Sequence, residues 1–433
     1  GASGLESLAV DTWGVDFGLL ARDGTLLGLP LSYRDLRAHG AMDEFVRKVG
    51  RETIYEATGI QFLPFNSLFQ LFSMARDRSP LLETAARLLF MPDLFNFFLT
   101  GRQATEYTIA STSQLFDPRA MRWREDLFEA LGIPPGIALD PVAPGTVLGP
   151  LLESVAAEAG LPSTRVVATA SHDTAAAVAA MPAADANGAF ISSGTWSCLG
   201  IEIPAPIISR ASLAHNFTNE GGAAGTIRFL KNVMGLWLVQ GCRKSWARRC
   251  AYDYPELTAL AEAAPPFRAV IDPDAADFMN PPDMPEAINA FLRRTGQAPL
   301  ETPGEFIRSI LESLALKYRY VIEEIGRVAG RAVERVHIIG GGSRNELLNR
   351  LTADATGRPV IAGPAEATST GNILIQLQAA GAVRSLAEMR AVVRESFPVR
   401  TYLPRPSPDG KDAYRRFLEL PGTAAAEALE GRA

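Results

Sequence analysis

The sequence has 433 residues, enough for two or three domains of ordinary size. Its 47% hydrophobic and 21% charged residues exclude a disordered chain and allow a large core without disulfide or metal staples. A net charge of −6 offers no basic field for nucleic acid, three cysteines form no disulfide framework and point to a reducing, cytoplasmic setting, and no apolar run reaches the roughly 18–20 uncharged residues of a membrane span.

The chain opens on Leu8, Ala9 and Val10, which predict a buried strand running into a loop at Asp11, Thr12, Trp13 and Gly14. Residues 17–20 and 26–31, separated by Asp23 and Gly24, read as a hairpin. Residues 84–90 read as a short helix and 94–99 as a second one, stopped by Gly101. The Pro- and Gly-rich stretches at 134–136 and 140–145 are turns, and 151–159 is a helix ended by Gly160. The β-branched run 165–170 predicts a strand that delivers Ser171, His172, Asp173 and Thr174 to a small-residue helix over 175–180. Residues 189–196 and 199–202 form a second hairpin, and 265–285 reads as loop. Apolar residues recur at helical spacing from Ile307 to Ile325, predicting a helix over 306–325, a strand over 333–339 and, beyond three glycines, a helix over 345–355. Strands that end in small or polar residues before helices argue for an α/β fold with sites at strand carboxyl ends.

Several stretches can carry chemistry. Asp173 stands where a buried strand meets a helix, so its carboxylate can take a proton from a substrate hydroxyl, and it can equally cap the helix. His172 beside it can hold a hydroxyl. Gly340, Gly341 and Gly342, between strand and helix, suit close approach of a phosphate and suit a tight turn as well. Ser192, Ser193, Gly194 and Thr195 can donate to phosphate oxygens or form an ordinary hairpin turn. Trp13 beside Gly14, flanked by Asp11 and Asp16, is either an aromatic wall for a sugar or a core residue with surface carboxylates. Asn219, Glu220, Gly221 and Gly222 form a further polar stretch. The run from Leu230 to Trp237 reads as the start of an apolar helix, with Asn232 as a ligand contact and Leu236 and Trp237 in the core. Arg243, Lys244, Arg248 and Arg249 read as a solvated helix face, with a small anion site as the alternative. Cys198, Cys242 and Cys250 read as packing residues, with no zinc site. No residue stands out as a metal ligand.

Taken in order, these stretches resemble the FGGY family of carbohydrate kinases. The matching runs are Asp11, Thr12, Trp13, Gly14, Val15, Asp16 and Phe17; Gly59 through Asn66; the Ser171 and Ser192 stretches; Asn219 to Gly222; Lys231 to Trp237; and Glu366, Ala367, Thr368, Gly371 and Asn372. The first of them, with Ser171 to Thr174, is similar to the branch acting on L-rhamnulose. The resemblance implies an actin-like, ribonuclease H-like fold in which two α/β domains close over a cleft, with domains at 1–175 and 176–433, the second on the nucleotide side. It implies ATP-dependent phosphorylation of L-rhamnulose at its 1-hydroxyl with Mg²⁺, in a cytoplasmic monomer or small homo-oligomer with no nucleic-acid or membrane partner. Asp173 is then the proton acceptor; Gly14, His172, Asp173 and Thr174 line the sugar site with Asn232; Thr195, Gln240, Gly340, Gly341 and Gly342 lie on the ATP side.

The family opens with a strand, an Asp and a Gly/Ser-rich hairpin that grips the ATP phosphates. Here the sequence begins at a later strand, and Gly1, Ala2, Ser3 and Gly4 only faintly resemble that hairpin. The expectation is therefore a first domain without its opening strands in this sequence, belonging to a protein that contains them. A kinase for a related ketose or deoxy sugar is the near alternative. A non-catalytic sugar- or nucleotide-binding protein is the more distant one.

Overall fold

The β-branched run at Arg165–Ala168 forms a strand because Val166, Val167 and Ala168 are all buried there. It pairs in parallel with Ser7–Leu8 and antiparallel with Thr146–Pro150. The computed structural model describes residues 4–247, 249–405 and 407–423; Gly1, Ala2, Ser3 and Arg248, on which expectations fell, lie outside the described residues. The described chain forms two compact units. The first holds the residues up to Ala180 together with Glu202–Phe229 and Ala367–Val392; the second holds Met181–Ile201, Leu230–Glu366 and the residues from Val393 onward.

In the first unit, Phe17–Leu20 is a strand, but its antiparallel partner is Arg87–Phe90. The expected hairpin is present but short: Leu20 bridges Leu26, Leu27 N–H donates to Leu19 O at 2.8 Å and Ala21 N–H to Thr25 O at 2.9 Å. The helix expected over 84–90 is corrected by the same pairing: helix Pro80–Thr84 stops and Arg87–Phe90 is extended, with Leu88, Leu89 and Phe90 buried. A four-residue apolar run has no local signal that separates helix from strand, so the distant partner decides. Helix Met91–Thr100 follows and ends at Gly101, whose φ of 71° suits a residue without a side chain. An aromatic core containing Phe45, Phe69, Phe90, Phe116, Trp123 and Phe128 lies under these elements.

Two helices of this unit approach unusually closely. Helix Asp173–Ala179 presents buried alanines, and helix Ala367–Ala379 lies against it. A Cβ on Gly371 would stand 1.8 Å from the carbonyl oxygen of Ala176, so only glycine fits. The small side chains of that helix thus admit a second helix backbone.

In the second unit, Gly188–Ser193 turns antiparallel into Trp196–Ile203 and pairs in parallel with Arg335–Ile339. Val360–Ala362 and Arg400–Tyr402 extend the sheet. Helix Pro303–Ala329 begins at a Thr302–Glu305 capping box and ends at Gly330. It packs on Tyr254–Ala263 and Glu346–Thr356. The 265–285 stretch is loop except for a short turn of helix at Ala276–Phe278 and the start of helix Met284–Arg294. The helix expected from Leu230 is a strand, Ile227–Met234; the helix starts only at Trp237, after Gly235. Leu236 and Trp237 are half-buried, and Arg243 and Lys244 on that helix are exposed. Cys198 and Cys242 are buried as expected, whereas Cys250 is exposed. Among the described residues no helix is long and apolar enough to cross a membrane.

Candidate active site

Strand Arg165–Ala168 runs out into residues 169–172, and helix Asp173–Ala179 starts at once. His172 occupies the cap position without a side-chain cap bond, and the Ser171 hydroxyl donates backward to the Thr169 carbonyl. Asp173 is therefore the first helical residue. Its Oδ1 accepts the Thr174 N–H at 2.6 Å and the Thr174 hydroxyl at 3.2 Å. The carboxyl sits in a recess, enclosed by protein on most sides while 43% of the side-chain surface still reaches solvent. Burial pushes its pKa up to about 6; the Thr174 bonds oppose this, the nearby Asp11 charge adds to it, and Arg228 opposes it.

The 11–16 loop runs alongside. Thr12 bridges to His172 in parallel, with Thr12 N–H to Ser171 O and Asp173 N–H to Thr12 O both at 2.9 Å. Gly14 lies against Thr112, whose hydroxyl accepts the Val15 N–H at 3.2 Å. Val15 is held at φ 68°, a costly conformation for a β-branched residue, and the Ser67 hydroxyl donates to its carbonyl at 2.6 Å. Trp13 is 46% exposed and Asp16 only 2% exposed. This favours the aromatic-wall reading of Trp13 and inverts the burial that the core reading required. Asp16 accepts from Trp13 Nε1 at 2.8 Å, Tyr33 N–H at 3.0 Å and Gln70 Nε2 at 3.1 Å, which fixes the ring. Asp11 accepts from Asn372 Nδ2 at 2.5 Å, and burial raises its pKa.

Four residues behind this surface gave no clear signal in the sequence. Glu106 is buried and accepts from Thr108 N–H at 2.8 Å, Thr108 hydroxyl at 2.6 Å, Ile109 N–H at 3.2 Å and Ser171 N–H at 3.0 Å. The Thr108 hydroxyl in turn accepts the His172 N–H at 3.1 Å. Burial pushes the Glu106 pKa up to about 7 against these bonds. Glu106 thus holds the loop that carries His172 and Asp173. Glu106→Ala strands three buried N–H groups, and an expected loss of about 3 kcal/mol or more follows, measurable by urea unfolding. The other two are Arg228, wholly buried, and Glu220, 3.2 Å from its Nη2. Arg228 interrupts the apolar run Ile227, Phe229, Leu230, and the Glu–Gly–Gly stretch before it was the only hint of a partner.

In the second unit, Thr195 and Gln240 face each other, with the Gln240 amide 3.4 Å from the Thr195 hydroxyl. The turn carrying Thr195 is tied down by Gly235 and Trp237, whose N–H groups donate to the Thr195 carbonyl. Gly340, Gly341 and Gly342 lie beside Ser193. A Cβ on Gly342 would meet the Ser193 hydroxyl at 2.0 Å, while one on Gly341 would meet nothing within 4 Å. The unit therefore gathers the triple glycine around Ser193 and pairs Thr195 with Gln240. Asn232 belongs to this unit too, on a strand rather than at a helix start, and its Oδ1 accepts from Cys198 Sγ at 3.1 Å. Gly14, His172, Asp173 and Thr174 belong to the first unit. Among the described residues no three His, Cys, Asp or Glu side chains gather as a metal site.

Family models for the FGGY family of carbohydrate kinases match the chain in two parts, the N-terminal domain over residues 3–180 and the C-terminal domain over 189–380. The chain is similar to a rhamnulokinase of Bacteroides thetaiotaomicron, 46% identical over 413 residues, covering 95% of this chain and 84% of that protein. It is similar to a rhamnulokinase of Pectobacterium carotovorum at 45% identity, covering 97% of this chain and 83% of that protein. Among solved structures, gluconate kinase from Lactobacillus acidophilus shares the fold with a TM-score of 0.76 at 16% identity, covering 98% of this chain and 85% of that one. Plasmodium falciparum glycerol kinase with ADP does so at 0.75 and 14%, covering 99% and 83%. With both domains matched and identity this high over nearly its whole length, the chain belongs to the FGGY family of carbohydrate kinases and has its two-domain α/β fold.

Proposed function

We propose that this chain moves the terminal phosphoryl group of ATP onto the 1-hydroxyl of L-rhamnulose, with Asp173 as the general base. The observation that carries the chemistry is Asp173 itself: a recessed carboxylate with a pKa raised to about 6, close to the working pH of a cytoplasmic enzyme. The similar rhamnulokinases support the choice of sugar. Three free cysteines fit the reducing setting.

The step balances simply. The sugar hydroxyl oxygen bonds to the terminal phosphorus, the bond from that phosphorus to the bridging oxygen of ADP breaks, and the hydroxyl proton passes to the Asp173 carboxylate. Gly14, His172 and Thr174 line the sugar, with Asn232 assisting. The exposed Trp13 ring gives its apolar face a wall. Thr195, Gln240 and the Gly340, Gly341 and Gly342 loop take the nucleotide, the loop because Gly341 leaves open space where a side chain would stand. Phosphoryl transfer asks mainly for positioning and charge neutralisation, and rigid loops of this kind supply positioning.

A Mg²⁺ ion that travels with ATP needs only one or two protein carboxylates beside the phosphate oxygens. Asp11 fits that need: its charge is felt at Asp173, and Asn372 holds its carboxyl in place. When bound, the ion would neutralise charge on the transferred group.

The test is a coupled assay of ADP release on the full-length protein, comparing L-rhamnulose with D-xylulose and glycerol. The expected result is the highest kcat/KM with L-rhamnulose; an equal or higher value with either of the others overturns the assignment of sugar. The pH profile follows from the base. The reaction needs the ionised carboxylate, so kcat/KM should be level above Asp173's pKa and fall tenfold per unit below about pH 6.

A further inference from the structure

We propose that Arg228 is a positioning residue that fixes the tautomer of His172, leaving Nδ1 as acceptor and the proton on Nε2, beside Asp173. The consequence for turnover rests on the function proposed above; the tautomer does not.

Arg228 lies on strand Ile227–Met234, with no accessible surface. Its Nε donates to the Gly221 carbonyl at 2.8 Å. Its Nη2 lies 3.0 Å from His172 Nδ1 and 3.2 Å from Glu220 Oε2. Its Nη1 is buried with no hydrogen-bond partner among the described residues. A guanidinium stays charged and carries only donors. A contact of 3.0 Å to Nδ1 is therefore a hydrogen bond only if the Nδ1 lone pair accepts it.

Glu220 is the competitor, since a carboxylate would prefer a proton on Nδ1. It stands 3.4 Å from that atom, beyond ordinary hydrogen-bond distance, and closer to Arg228. A proton on Nδ1 would also point two N–H groups at each other across 3.0 Å. Glu220 instead balances the buried guanidinium, which accounts for a charge in so apolar a place.

The other ring nitrogen then has a use. Nε2 lies 3.5 Å from Asp173 Oδ1, too far for a good bond, so its N–H remains for a ligand oxygen. A sugar whose oxygen next to the reacting hydroxyl accepts a hydrogen bond meets a donor there, and the hydroxyl itself meets the acceptor, Asp173. A ketose carbonyl oxygen beside a terminal hydroxyl has that pattern.

The test begins without sugar or nucleotide. In protein labelled with ¹⁵N-histidine, long-range ¹H–¹⁵N spectra near pH 7.5 should show His172 with a protonated Nε2 and a bare Nδ1. The chain has four histidines, and loss of the signals in His172→Gln assigns them. A protonated Nδ1 in the wild type overturns the proposal, even if L-rhamnulose is turned over. Conversely, failure to phosphorylate L-rhamnulose leaves this spectrum as it is. Arg228→Gln, whose neutral amide can either donate to or accept from Nδ1, confirmed folded by its melting curve, should mix the tautomers and raise KM for the accepted sugar about tenfold, with KM for ATP unchanged. An unchanged sugar KM in a folded Arg228→Gln protein also overturns it. If that variant does not fold, the wild-type spectrum decides alone.

Discussion

Asp173→Asn is expected to lower kcat with L-rhamnulose about 10³-fold while the protein stays folded. Loss of a positioned base typically costs 10²–10⁴-fold. Asparagine keeps an oxygen for the Thr174 N–H, now at 2.6 Å from Oδ1, so the helix start should survive. The change in stability has a definite sign. A carboxyl whose pKa rises on folding from 3.8 to about 6 favours the protonated fold. Its ionisation therefore costs stability as pH rises through that window, and the cost is fully present above about pH 6. Asparagine removes it, so the melting temperature at pH 7.5 should hold or rise slightly, the open face of the side chain keeping the gain small. Steady-state kinetics with a melting curve check both halves. More than a tenth of wild-type kcat in the variant would remove Asp173 from the role of base.

The second large effect concerns packing. Gly371→Ala should destabilise the protein by about 3 kcal/mol, the upper part of the usual range for overpacking. The added Cβ would stand 1.8 Å from the Ala176 oxygen and 2.5 Å from its carbon, and both are backbone atoms that cannot rotate away. Relief requires the two helices to separate, and one of them begins at Asp173. Thr368 hydroxyl also donates to the Asp173 carbonyl at 3.4 Å, from the same helix as Gly371. Activity should therefore fall beyond what the unfolded fraction explains. Gly136→Ala is the control: a Cβ there meets nothing within 4 Å, and its stability should stay within about 0.5 kcal/mol of wild type. Equal denaturation midpoints for the two variants would contradict the packing argument.

Legibility followed the range of the forces involved. The long helix was read within a few residues because its apolar face repeats locally; its true ends, set by the Thr302–Glu305 capping box and Gly330, lie a few residues beyond the periodic stretch. The strand into residues 171–174 was legible for the same reason, a β-branched run bounded by small polar residues. Residues 87–90 and 230–234 were misread as helix. Each is a short segment whose strand character comes from pairing with other strands, and periodicity over four or five residues carries no such information.

The candidate site divided in the same way. By itself the sequence determined which residues could do chemistry: Asp173 and His172 at a strand end, glycines before a helix, and a Trp–Gly pair between carboxylates. Each was a local motif, and their joint order carried the family. Only the tertiary structure decided that Trp13 is exposed while Asp16 is buried, that the alanine helix receives Gly371 rather than a ligand, and that Glu106, Glu220 and Arg228 stand behind the loop. Those three are charged groups buried among partners far along the chain. Nothing local marks such a charge as buried, because its cost is offset only when the distant partners arrive.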